Sequence, residues 1–148
     1  MIGLIFSIFI FNITAFSVNK LLNKSQIAHI WMFTVAFQVL VDVYIDVKLQ
    51  GYWYFDKHID WISLLPVTIL LPPVNIVFLN WFPFNYSIKR KIQYFIYWEI
   101  CMVLYEMFTL LPAPWGYFHY GWWKLWYSAL CNPVLLLMLL KYYKWFVK

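Results

Sequence analysis

Charge is scarce in this sequence. Only 11% of its 148 residues are Asp, Glu, Lys or Arg, whereas a soluble domain carries roughly 25%. A small globular domain leaves much of its area facing water, and this chain has too few charges to cover such a surface. Glycine is rarer still, with Gly3, Gly51, Gly116 and Gly121 the only four. Glycine-rich phosphate loops of the G-x-x-x-x-G-K or G-x-G-x-x-G kind are absent, as are G-x-S-x-G and H-E-x-x-H. Familiar nucleotide, hydrolase and zinc-peptidase chemistry therefore has no support, and no cofactor is expected. The two cysteines, Cys101 and Cys131, are not in a C-x-x-C pair, so neither a disulfide framework nor a zinc site is expected. They read as small apolar residues inside apolar stretches.

What the chain has instead is apolar mass. It is 65% hydrophobic and 24% aromatic, with a mean hydropathy of +0.70. A transmembrane helix needs about 20 mostly apolar residues to cross some 30 Å of hydrocarbon. Five segments meet that pattern, at about 2–18, 27–47, 61–82, 92–111 and 123–140. The expected fold is all-α: a transmembrane bundle of about five spans in one integral membrane domain, solvated chiefly by the lipid bilayer. Ala15-Phe16-Ser17 loosely fits a signal-cleavage site, but such a peptide carries its positive charge before its apolar core. Here Lys20 and Lys24 follow the core and none precedes it, so a retained helix is expected.

Basic residues set the expected orientation. Lys20, Lys24, Lys89, Arg90, Lys91, Lys141, Lys144 and Lys148 fall on one side of five alternating spans, and Lys48, Lys57 and Lys124 on the other. The positive-inside rule makes the richer side cytoplasmic, giving N-out, C-in and a multi-pass plasma-membrane protein. The basic residues form no basic domain, so nucleic-acid binding is not expected. Aromatics around Tyr52–Phe55 and Trp115–Tyr127 suit the outer headgroup zone. Pro72-Pro73 and Asn132-Pro133 remove backbone donors within spans, which predicts kinks or breaks. Asn75, Asn80 and Asn132 are placed to satisfy freed carbonyls or to bond across helices.

Acidic residues mark the one candidate site. Asp42 and Asp46 lie four apart on the second span and Glu99 and Glu106 seven apart on the fourth, each pair on one helix face. Asp42 and Glu106 each stand about five residues, or roughly 7 Å, below the outer end of their spans. With Asp56, His58 and Asp60 from one outer loop and His119 from the other, they outline an acidic, aromatic-rimmed pocket opening outward. Ionisable groups within a span are costly and suggest function. The plainer alternative keeps Asp46, Asp56 and Asp60 solvated near Lys48 and Lys57, and gives Asp42 and Glu106 structural partners. The loop residues offer oxygen and nitrogen donors without a metal-specific spacing, so no metal is expected. His29 reads as a structural histidine.

Three stretches have a familiar pattern: GYWYFDKHIDWISLLPVTILLPPVNIVFLNWFPF from Gly51 to Phe84, YWEICMVLYE from Tyr97 to Glu106, and GYFHYGWWKLWYSALCNP from Gly116 to Pro133. Together they resemble an uncharacterised family of small multi-pass integral membrane proteins from spore-forming Gram-positive bacteria of the Bacillus and Clostridium type. The resemblance covers spans two to five. It implies plasma-membrane location and carries no chemistry and no site residues. Three functions stay open: a non-enzymatic accessory or sensory subunit contacting another membrane protein or itself, an enzyme modifying a lipid or isoprenoid with Glu99 and Glu106, and an oligomer conducting cations or protons.

Overall fold

In the computed structural model, which describes residues 1–58 and 60–147, the chain is mostly helical. Lys148 of the expected basic tail lies outside the described residues. Helix α1 runs Ile2–Val18, and α2 runs Lys24–Asp42 before continuing through a π-wound segment, Val43–Lys48. A second π-wound segment, Pro66–Leu70, leads into α3 at Leu71–Trp81. Helix α4 is Ile88–Thr109 and α5 is Leu125–Phe146. The all-α expectation holds for these rods. It missed one feature: β1 (Tyr52–Tyr54) and β2 (Phe118–Tyr120) pair antiparallel and join the α2–α3 loop to the α4–α5 loop.

Among the described residues, two rods are long and apolar enough to cross a membrane, Lys24–Lys48 with 25 residues and Leu125–Phe146 with 22. Ile2–Val18 and Pro66–Trp81 are apolar but shorter. In α4, Lys89, Arg90, Lys91, Glu99 and Glu106 dilute an otherwise apolar 22-residue helix. The third segment also begins later than the hydropathy suggests. Asp60 Oδ1 accepts from the Ser63 amide at 2.6 Å and the Ser63 hydroxyl at 2.8 Å, which turns Trp61–Ser63 before the helix starts.

The ends of the rods are segregated. The Met1 ammonium donates to Pro114 O at 3.2 Å, so the N-terminus lies beside the α4–α5 loop and the sheet. At the opposite end, Asn80 Oδ1 of α3 accepts from the Lys20 and Leu21 amides at 2.9 and 3.0 Å. There Phe84 also packs on Tyr143, and His29 stacks on Phe146 at 5.1 Å. The α1–α2 turn, the α3–α4 turn and the end of α5 therefore share one end, and they carry most of the basic residues.

Proline shapes the centre. Pro72 and Pro73 have no amide proton, so the carbonyls four residues earlier, Thr68 O and Ile69 O, lose their α-helical donors. The helix answers by widening into the π segment just before them. Neighbouring helices supply the missing donors: Trp31 Nε1 of α2 reaches Thr68 O at 2.9 Å, and Asn12 Nδ2 of α1 reaches Ile69 O at 3.0 Å. The donors come from Asn12 and Trp31, while Asn75 bonds across to Thr34 Oγ1 of α2 at 2.9 Å. The break thus ties α3 to both α1 and α2.

Phe78 is fully buried and sits among Phe82, Tyr94, Phe95 and Trp98, which joins α3 to α4 through aromatic side chains. Ile30, Ile76, Leu136 and Leu139 extend this core into α2 and α5. The outward faces are apolar too. Phe9, Ile13 and Phe16 on α1, Leu40 on α2, Ile96 and Leu104 on α4, and Leu130 and Leu137 on α5 are each more than half exposed. Cys101 shares that outer surface rather than a buried position, and Cys131 is half-buried.

Candidate functional site

The sheet at the end of the bundle brings two carboxylates under one pair of tyrosines. Its register sets Tyr52 opposite Tyr120, Trp53 opposite His119 and Tyr54 opposite Phe118. Directly opposed residues in an antiparallel pair point to the same face, with Cβ atoms about 5 Å apart. Tyr52 OH donates to Asp42 Oδ1 at 2.6 Å, and Tyr120 OH donates to Glu106 Oε1. Two helices separated in sequence by some sixty residues thus hand their acids to adjacent side chains.

Each carboxylate has further donors. Gln38 Nε2, one turn earlier on α2, donates to Asp42 Oδ1 at 2.9 Å. Ser128 Oγ of α5 donates to Glu106 Oε1 at 2.6 Å and itself accepts from Trp123 Nε1 at 2.9 Å. These partners are hydroxyl and amide groups, not basic side chains. Buried polar groups need such partners to offset lost hydration. Burial, with the Asp42 charge next, pushes the Tyr52 phenol well above its ordinary range. Burial and the bond to Glu106 do the same to Tyr120. Both phenols therefore stay protonated and remain donors. Asp42, Asp46 and Glu106 all act on Tyr52 and Tyr54, so three acidic side chains gather at this end of the bundle under an aromatic cover.

The other sequence candidates lie on neighbouring elements. Asp46 lies half-buried on the π-wound end of α2. Asp60 is occupied with Ser63, and Asp56 is exposed and accepts from the Lys57 amide at 2.7 Å. His58 is exposed. His119 is exposed on the outer face of the sheet, stacked on Trp53 at 6.1 Å, where Lys57 Nζ also sits 4.7 Å from the Trp53 ring. Among the described residues, no three His, Cys, Asp or Glu side chains are grouped to hold a metal ion. Glu99 lies deeper along the α4–α5 seam. Asn132 Nδ2 donates to its Oε1 at 3.3 Å, while its Oε2 is buried without a partner.

Tyr52, Tyr120, Gln38 and Ser128 were not among the sequence candidates. Two signals pointed to three of them, the aromatic runs YWYF and YFHY beside Gly51 and Gly121 and the polar pair Ser128 and Asn132 four apart on an otherwise apolar helix, and none to Gln38. The glycines have a steric reason. A Cβ on Gly121 would run into Gln50 O and crowd Gly51 O. Gly51 O in turn accepts from the Gly121 and Trp123 amides at 2.8 and 3.0 Å. No protein-family model, no curated protein and no solved structure matches the chain.

Proposed function

We propose that the chain is a multi-pass plasma-membrane protein with five spans, N-out and C-in, acting as a non-enzymatic accessory or sensory subunit. Its outward end takes a positively charged group from a partner membrane protein. The observation that carries this reading is the cross-strand pair Tyr52 and Tyr120, each bonded to a separate carboxylate. Carboxylates without a basic partner favour a cation beside them, and the rings of Tyr54 and Trp123 packed against Tyr52 suit an ammonium or guanidinium group. Apolar outer faces on α1, α2, α4 and α5 and segregated basic ends support the bilayer placement.

The test is photocrosslinking in the membrane from a reactive residue at His119, in wild type and in the Asp42→Asn, Glu106→Gln double variant. Loss of a specific crosslinked partner with unchanged insertion supports the reading. An identical crosslinking pattern in the variant refutes it.

A second reading, proton passage along the α4–α5 seam, is favoured by one observation, the unpartnered Glu99 Oε2. It requires flux in proteoliposomes that Glu99→Gln abolishes. The lipid-modifying reading gains less support. Glu99 and Glu106 stand two turns apart, about 10 Å of rise, and Glu106 Oε1 already accepts from two hydroxyls.

A further inference from the structure

A groove runs along α1 where it crosses α3, away from the carboxylates. Its first part, about 590 Å³, is walled by Phe9, Ile13 and Phe16. Its second part, about 530 Å³, reaches Lys20 and Trp81. Ser17 lines both, which sets the two end to end along α1. The walls are held in register at both ends by hydrogen bonds. Asn12 Nδ2 pins α1 to Ile69 O at one end, and Asn80 Oδ1 pins the Lys20 and Leu21 amides at the other. A preformed groove spares a ligand the cost of organising it.

Polarity along the groove follows a gradient. Its α1 wall is phenyl and aliphatic at Phe9, Ile13 and Phe16, with the Asn12 amide between them bonded to Ile8 O and Ile69 O, then offers the exposed Ser17, and ends at an exposed lysine and a half-exposed indole. This is the order of chain, ester and headgroup in a phospholipid. The lengths agree as well. Phe9 to Val18 at the end of α1 rises about 14 Å at 1.5 Å per residue, and one leaflet's chains fill about half of the roughly 30 Å hydrocarbon core. The Lys20 end carries the positive charge, with Lys24 exposed four residues on, so the headgroup that complements it is anionic.

We infer that this groove binds one anionic phospholipid of the leaflet on the Lys20 side, with an acyl chain along Phe9, Ile13 and Phe16 and its phosphate at Lys20. The inference rests on the bilayer placement proposed above and is independent of the carboxylate site. It is tested by native mass spectrometry of the full chain released from nanodiscs of equal phosphatidylglycerol and phosphatidylcholine. Wild type should retain one phosphatidylglycerol in preference to phosphatidylcholine by about fivefold, the effect of one basic group at an anionic surface. Lys20→Gln should keep a bound lipid but lose that preference, and Ser17→Trp should lose both adducts by closing the junction. Lys144→Gln, at the same end but outside the groove, should match wild type. Undiminished preference in Lys20→Gln, or wild-type adducts in Ser17→Trp, would overturn the inference. If Ser17→Trp does not insert, the Lys20→Gln result decides alone. Alkaline carbonate washing separates the two levels. Protein released by the wash removes the bilayer placement and the groove together, whereas protein that stays without headgroup preference removes the groove only.

Discussion

Replacing Trp31 with Phe removes one donor and little else. The Trp31 indole N–H caps Thr68 O at 2.9 Å, a carbonyl that Pro72 cannot serve because it has no amide proton. A carbonyl left bare in an apolar setting costs about 1–3 kcal/mol. Interhelical bonds measured in membranes average nearer 0.6 kcal/mol, with a maximum of about 1.7. Trp31 and Thr68 are both half-buried, so a loss of about 1–1.5 kcal/mol is expected. Pro72→Ala restores an amide at the position that serves Thr68 O, so the same Trp31→Phe change in that background should cost about 1 kcal/mol less. The assay is a double-mutant cycle on unfolding in mixed micelles of dodecyl maltoside and sodium dodecyl sulfate, followed by circular dichroism. Independent sites add within about 0.5 kcal/mol. Additivity at that level would show that the proline break is not what Trp31 serves, and the account of α3 would fall.

Three further outcomes follow from the same geometry. Gly121→Ala should cost about 1–3 kcal/mol by overpacking against Gln50 O and detach β2 from β1, seen as faster amide exchange at residues 118–120. Asn80→Ala removes the acceptor for two backbone amides, about 2 kcal/mol at roughly 1 kcal/mol each, and should expose the Lys20–Lys24 turn to trypsin in detergent. Alkaline pH should destabilise the outer sheet: burial raises the phenols of Tyr52, Tyr54 and Tyr117 above their ordinary value of 10.0. Their stability is fully present below pH 10 and is lost as pH climbs towards the raised folded values. Above pH 10 each should remove up to about 1.4 kcal/mol per pH unit, and Tyr52→Phe should flatten the slope measured by thermal melts.

Much of this arrangement was legible from residue order alone. The apolar runs predicted rods beginning at Ile2, near Ile27 and near Trp123, because lipid-length hydrophobicity is a local property that needs no partner to be recognised. Basic residues sorted the loops into two sets, and the structure groups the same loops at two ends. Asp42 and Glu106 were singled out by their helical depth, which is also local. The stacking of His119 on Trp53 beside Lys57 was not legible, since it follows from strand pairing between two loops.

Composition and periodicity alone determined the helical class, the proline break in α3 and the acids worth examining, since each depends on residues within a turn or two of one another. Tertiary structure decided which donors cap the broken helix, and that Tyr52 and Tyr120 meet across strands no hydropathy pattern announced. Those choices join residues from 37 to more than sixty positions apart. Such contacts are selected by where packed helices place unsatisfied carbonyls and carboxylates, and that placement exists only once the rods have come together.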